Sequence, residues 1–406
     1  MTAYLPPFAD ELLTSWHARR RIYEGGPRQL ATKAALDRNG DWRHPDIRPT
    51  IGWLKAASAQ LDVPVAVLKE CALARRYPAL PLDFAAWDFA LFVGRPDELR
   101  PAPKLRISWC TRCLAEDYAS GRPAYVRQHW VLAATGFCHA HNWPLQDMCS
   151  GCGAGQWRFA NPARGPLRLL CLGCWRPLER ALPATLACQP AAQECWDCVI
   201  AFEAELLSAV QGRTPNQFRF NFTSANQLIN AVRDICRLLT RRRPTHARSE
   251  IALNRFINPN LSPDRMPVDC PPIDATFPLA TASLTQRRAL LAAAAAIIDP
   301  LPSVGKTLFG QDSGVAIDTF VASVEGSALN LCLSRTKKWS PSFCSRITAA
   351  LRCRRREELS LRLTDQMQRF RLCDDPPDAF RSPCQAATRG WLTQVSRQPG
   401  GDVAQA

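Results

Sequence analysis

The sequence predicts a mainly α-helical protein in three parts. These are an N-terminal helical region with a helix-turn-helix (1–100, the motif at 51–76), two tandem structural zinc fingers (101–180), and a helical, basic C-terminal domain (196–406). Three observations predict this. Apolar residues recur at helical spacing over 9–24 and 51–76. Four two-ligand knuckles stand in register within 65 residues in the middle of the chain. Beyond them, segments of helical pattern are separated by proline-rich connectors.

Leu5-Pro6-Pro7-Phe8 reads as an extended lead-in to a helix over 9–24, where Leu12, Leu13, Trp16, Arg19 and Arg20 lie three to four residues apart. A short helix is expected over 28–37, ended by Asn39-Gly40, and 41–50, with Pro45 and Pro49, reads as a loop. Ile51 to Leu61 is helical in pattern, Asp62-Val63-Pro64 interrupts it, and Val65 to Arg76 resumes it. Ala57, Leu61, Val63 and Val67 occupy the positions a helix-turn-helix needs: a small residue where the helices cross, and apolar residues filling the angle. Asp62 is expected to cap the second helix, with Pro64 tolerated in its first turn. An ordinary helical hairpin would carry the same pattern. Pro64, Val65 and Ala66 are poor readers of base edges, so this unit is also a candidate docking surface for protein, a second copy of the chain included.

The first pair of knuckles is Cys110-x-x-Cys113 and Cys138-x-x-His141, separated by 24 residues. The second is Cys149-x-x-Cys152 and Cys171-x-x-Cys174, separated by 18. Zinc takes four soft or borderline ligands at tetrahedral corners, and two knuckles close one ion from opposite sides. Each pair supplies four ligands and leaves no corner for water or substrate. Two Zn²⁺ per chain are therefore expected, both structural, each contributing on the order of 10 kcal/mol of folding free energy. His139 is the alternative ligand to His141, but the two-residue spacing favours His141. A disulfide framework would require export, and Asp10 and Glu11 fall where a signal peptide needs its apolar core. Cys195-x-x-Cys198 is a further knuckle, with Cys188 near it, but no fourth ligand lies at a workable spacing, and the other cysteines read as small buried residues or incidental thiols.

Residues 175–195 read as a connector, 197–212, 224–242, 283–299, 342–352 and 354–370 as helices, and 257–278, with six prolines, as a loop. The formal charge is +15, and filling both sites with zinc leaves about +12, which favours polyanions, DNA first. Two arginine clusters, Arg241, Arg242, Arg243 and Arg352, Arg354, Arg355, Arg356, are the candidate phosphate contacts, although solvated helix faces carry such runs too. The longest apolar run, Ala289 to Ile298, is ten residues against about 20 for a membrane span, so it reads as a buried helix and no membrane partner is expected. Ser303-Val304-Gly305-Lys306-Thr307 ends like a phosphate-binding loop, but Pro300 stands at the leading glycine and has no N–H to offer. There is no G-x-S-x-G, no H-E-x-x-H and no carboxylate spacing that marks a two-metal nuclease, so no catalytic residue is assigned.

Several of these residues lie in an ordered set of motifs. The chain opens Leu5-Pro6-Pro7-Phe8-Ala9-Asp10-Glu11-Leu12-Leu13-Thr14-Ser15-Trp16, and continues through Cys110-x-x-Cys113-Leu114-x-Glu116-Asp117 and Tyr125-x-Arg127-x-x-Trp130. Cys138-x-x-His141-x-x-Pro144-Leu145 and Cys149-x-x-Cys152-Gly153 follow. This order resembles the TniQ family of transposition proteins, related to the TnsD target selectors, over roughly residues 5–175. Thr111 and Asn142 depart from the family's usual proline and glycine. The resemblance implies a non-enzymatic adaptor that binds DNA or docks on a target-recognition complex, recruits an AAA+ ATPase, and through it engages the transposase, in the bacterial cytoplasm at the nucleoid. It also carries over the zinc ligands, with Trp130 read as core packing and Arg127 as a structural cation. Two rivals share parts of this pattern: a zinc-containing helix-turn-helix transcription regulator, and a nuclease or RNA-modifying enzyme with an appended zinc ribbon.

Overall fold

The computed structural model describes residues 5–24, 35–36, 42–88, 104–161, 165–179, 190–215, 222–241, 252–256, 258–261, 273, 276–298, 302–310, 313–334 and 338–373. The chain divides into two compact units, 1–350 and 351–406.

The first helix, α1 (Leu13–Glu24), is anchored by the residues before it. The buried Glu11 carboxylate accepts hydrogen bonds from Phe8 N (3.1 Å), Ser15 Oγ (3.1 Å) and Arg19 Nε (3.0 Å), and pairs with Arg19 Nη2 at 2.6 Å. Trp16 Nε1 donates to Leu5 O, and Arg19 Nη2 to Pro6 O. The opening motif is thus a local clasp that folds the extended lead-in back over the helix.

α2 (Ile51–Leu61) starts at Thr50, whose hydroxyl accepts from Trp53 N at 3.1 Å. It ends at Asp62, which stands in the left-handed region at φ 51°. Asp62 therefore terminates α2. It does not cap α3 (Val65–Glu70), whose preceding residue, Pro64, offers no side-chain acceptor. A short α4 (Leu73–Arg76) follows. Leu13, Trp16, Leu54, Ala57, Leu61, Val63, Leu68 and Cys71 form one core. Ala57, Leu61 and Val63 sit where the pattern placed them, while Leu68 is fully buried and Val67 packs only partly.

The helix expected over 28–37 is corrected at its end: Ala35–Leu36 is a strand, β1, paired antiparallel with β2 (Trp42–Arg43). Asn39-Gly40, read as a helix stop, is equally a hairpin signal. Residues 25–34 lie outside the described set. β3 (Trp87–Asp88) pairs with β4 (Lys104–Leu105), and α5 (Thr111–Ala119) follows. Two hairpins come next: β5 (Phe137–Cys138) with β6 (Trp143–Pro144), and β7 (Trp157–Ala160) with β8 (Arg168–Cys171).

The remainder is helical: α6 (Pro190–Val210), α7 (Ala225–Thr240), α8 (Pro278–Thr281), α9 (Leu284–Ile298), α10 (Pro302–Phe309), α11 (Ser313–Ser323), α12 (Gly326–Ser334) and α13 (Pro341–Cys373). Ser224 caps α7 by accepting from Gln227 N. α9 is buried from Leu290 through Ile298, as its apolar run requires, and packs against α6, α7, α10 and α11. The connector expected over 175–195 is corrected at its end, because α6 begins at Pro190, a residue suited to a helix start; residues 180–189 lie outside the described set. The two helices expected at 342–352 and 354–370 are one helix, since nothing at Cys353 breaks the backbone. α10, α11 and α12 were not anticipated; their short apolar segments carry too little periodicity to announce a helix. Among the described residues, no single helix is long and apolar enough to cross a membrane.

Candidate metal centres

The first cluster draws its ligands from two elements. Cys110 and Cys113 sit at the start of α5, while Cys138 ends β5 and His141 lies in the turn before β6. His141 Nδ1 lies 3.6 Å from Cys110 Sγ, 3.3 Å from Cys113 Sγ and 3.5 Å from Cys138 Sγ. Cys113 and Cys138 are 3.6 Å apart. In the second cluster Cys149 Sγ lies 3.6 Å from Cys174 Sγ, and Cys152 Sγ 3.5 Å from Cys171 Sγ. Each set of four ligand atoms fits within 4.8 Å, a spacing that could hold a metal ion. A tetrahedron with Zn–S near ~2.3 Å has S···S edges of about 3.8 Å, so the donor set and spacing suit zinc.

Crowding four such groups distorts their acid–base behaviour. Hydrogen bonds from Cys110 and Cys113 hold Cys138 far below the usual thiol range, and the same sharing pushes Cys113 up. In the second cluster burial raises Cys171, but hydrogen bonds from the Cys174 and Gly173 backbone and the Cys152 and Cys149 thiols together bring it down to about 7. Without a cation these sulfurs hold few negative charges together; a dication lets all of them ionise.

Backbone geometry follows from the knuckles. The residue after the second ligand takes a left-handed conformation in three of them: Asn142 (φ 46°), Gly153 (φ 74°) and Trp175 (φ 60°). That turn carries Gly153 N to Cys149 O and Trp175 N to Cys171 O. Asparagine tolerates this region, so the substitution of Asn142 for glycine is benign. Trp175 does not, and it is more than half exposed, with the Arg158 guanidinium 4.2 Å from its ring. A side chain at Gly173 would meet Ala154 Cβ at 2.9 Å and Cys152 Sγ at 3.1 Å, so that knuckle requires glycine.

The supporting shell contains residues that the spacing of ligands gave no reason to single out. Glu116 Oε1 lies 2.7 Å from His141 Nε2. Glu203 on α6 is fully buried and accepts from Gly136 N (2.8 Å) and Phe137 N (3.3 Å), the residues leading into Cys138. Its other approach is to His139 Nε2 at 3.5 Å, so His139 faces α6 and not the cluster. Arg288 on α9 is also fully buried; it donates to Gly136 O at 3.3 Å and to Leu145 O. Beside it Arg287 is buried too, and burial, with Arg106 nearby, lowers its pKa to about 9. Helices from the C-terminal half therefore grip the first cluster's hairpin directly.

Arg127 is a structural cation, as its motif implied. Its Nη2 reaches both Asp117 oxygens at 3.0 Å, and its guanidinium lies 4.3 Å from the Tyr125 ring and 5.0 Å from the Trp130 ring. Tyr125 OH donates to Asp10 Oδ1, and Trp130 is fully buried. Cys195 and Cys198 lie on α6 in no metal-type group among the described residues, and Cys195 Sγ donates to Thr307 O. Of the candidate phosphate contacts, Arg241 is exposed just after α7, and Arg242 and Arg243 lie outside the described residues. Arg352, Arg355 and Arg356 are exposed on α13, while Arg354 pairs with Glu358 at 2.8 Å.

A helical scaffold packed on the first of two four-ligand clusters, each of which could hold a metal ion, is the class of structure that results. Residues 3–145 match the TniQ family, a span that includes the first cluster and stops short of the second. Over that span, about a third of the chain, the sequence is similar to the TniQ family. No curated protein matches the chain.

Proposed function

We propose that the chain is a non-enzymatic, zinc-stabilised DNA-binding adaptor in DNA transposition. It selects or licenses the target site, recruits an AAA+ ATPase there, and through the ATPase brings in the transposase. The observation that carries this reading is the TniQ match over 3–145, which takes in the first cluster. Both clusters are closed: each ion would be fully coordinated by protein, with no corner for a substrate, which supports zinc in a folding role. The exposed arginines at Arg241, Arg352, Arg355 and Arg356, with Arg242 and Arg243, supply positive charge for phosphate contacts. The α2–α3 unit serves as a helix-turn-helix or as the ATPase-docking face.

The test is reconstituted transposition with purified chain, the AAA+ ATPase and the transposase of the same element, on a plasmid carrying candidate target sequence. Omitting the chain should abolish targeted insertion. Insertion of unchanged frequency and position in its absence would sink the proposal.

A further inference from the structure

We propose that the cleft formed by residues 252–256 and 258–261, α10 and α11 binds the phosphodiester backbone of nucleic acid, with Arg255 and Lys306 as its phosphate ligands. This rests on the DNA-binding reading above and gives it a location.

The Ser303-Val304-Gly305-Lys306-Thr307 segment does not form a phosphate-binding loop. It is wound into α10 and so does not form the open loop that wraps a phosphate. That helix nevertheless presents Lys306 and Thr307 to a cleft of about 500 Å³, which Arg255, Asn260 and Thr319 also line. Among the described residues, no carboxylate lines this cleft and neither Arg255 nor Lys306 makes an ion pair. Several other cations of the same unit are neutralised: Arg19 by Glu11, Arg127 by Asp117, Arg168 by Glu179, Arg233 and Arg237 by Asp83. Two exposed cations on a concave wall concentrate positive potential where an anion can approach.

The wall is also fixed in place. The Asn258 side chain donates to Leu308 O and accepts from Asn260 N at 2.9 Å. From α6, Trp196 Nε1 donates to Asn260 O at 2.8 Å and Cys195 Sγ to Thr307 O at 3.3 Å. The backbone beneath Asn260 and Thr307 is therefore tied to a buried helix before any ligand arrives. Arginine offers a planar fork and lysine a point charge, both suited to phosphate oxygens, and the threonine hydroxyls and Asn260 amide add neutral partners for phosphate and sugar.

Free nucleotides share the phosphate chemistry, so the experiment uses both. The full-length, zinc-loaded chain is titrated with a fluorescently labelled DNA duplex across a salt series, and separately with ATP. The Arg255→Ala/Lys306→Ala double variant should bind the duplex about 10- to 100-fold more weakly at about 0.1 M salt, with a salt slope shallower by about 2. Lys306→Arg should retain binding. Both cations are exposed, so zinc content and melting temperature should not change. If the wild type binds and the double variant keeps its affinity and slope, the cleft assignment is overturned while the DNA reading survives. If the wild type binds no duplex, both fall. If the double variant loses ATP binding but keeps duplex binding, the cleft is a nucleotide site and this assignment is wrong.

Discussion

Glu116 Oε1 meets His141 Nε2 at 2.7 Å, while the opposite ring nitrogen faces the three sulfurs of the first cluster. The adjacent Asp117 binds Arg127. The Leu114-x-Glu116-Asp117 motif on α5 thus serves two purposes from consecutive residues: one carboxylate holds the ring of a candidate metal ligand, and the next joins a buried ion pair. A carboxylate on the distal nitrogen fixes the histidine tautomer and raises its basicity toward metal. Glu116→Ala should speed release of one metal ion to a chelator by about tenfold, the low end for such partners because Glu116 is largely exposed. Equal release from wild type and variant would show that this contact does nothing for the metal.

Freshly purified protein should contain two zinc ions per chain by metal analysis. Cys138→Ser removes a ligand fully buried where β5 meets the cluster, and should lose one ion and unfold or aggregate the region around it. Cys236→Ser is the control. That thiol is also fully buried, but on α7 and away from any ligand group, so serine should cost about 1–2 kcal/mol in thermal melts and leave both ions in place. One ion or none in the wild type would contradict the assignment.

The two clusters were legible because metal coordination imposes short, local spacings, and two candidate ligands two residues apart look the same in any fold. The clasp around Glu11 and Arg19 was visible only as a motif, since its partners lie within a few residues but its geometry depends on the lead-in folding back. Glu203 and Arg288 were invisible. Their partners, Gly136, Phe137 and Leu145, are roughly 60 to 150 residues away, and no spacing encodes so distant a contact. Helices with strong caps or long apolar runs, α2 and α9, were read nearly to their ends. The strand at Ala35 and the unbroken α13 were misread where a local signal, Asn39-Gly40 or the charge run at Cys353, had two meanings.

Glu203 gives the third prediction. Its carboxylate caps two buried N–H groups and faces His139, so Glu203→Ala leaves those donors without partners inside the fold. The expected cost is about 3–5 kcal/mol, seen as a large fall in the denaturant midpoint. Glu203→Gln keeps one acceptor oxygen and should lose roughly half as much. A loss of less than about 1 kcal/mol in the alanine variant would mean the hairpin holds its shape without α6.

Trp175 occupies a left-handed conformation that costs a bulky residue on the order of 1–2 kcal/mol, partly offset by Arg158 against its ring. Trp175→Gly removes the strain and should stabilise the second cluster's hairpin by about 0.5–1 kcal/mol, with both metal ions retained. A lower melting temperature would show that the indole contributes more packing than its exposure suggests.

The arginine clusters give the last prediction, and the structure sharpens which residues to change. Arg241 is exposed at the end of α7, and Arg352, Arg355 and Arg356 are exposed on α13, whereas the charge of Arg354 is partly neutralised by Glu358. If these residues track phosphates, each one lost should flatten the dependence of log affinity on log salt by about 0.9, without regard to DNA sequence. Changing Arg241, Arg242 and Arg243 to Ala should therefore reduce the slope by up to about 3, and changing Arg352, Arg355 and Arg356 should do the same, while Arg354→Ala should change it least. Binding measured by anisotropy on several unrelated duplexes separates the possibilities. A loss confined to one sequence would indicate base readout by these residues. An unchanged slope in both triple variants would place the phosphate contacts elsewhere on the chain.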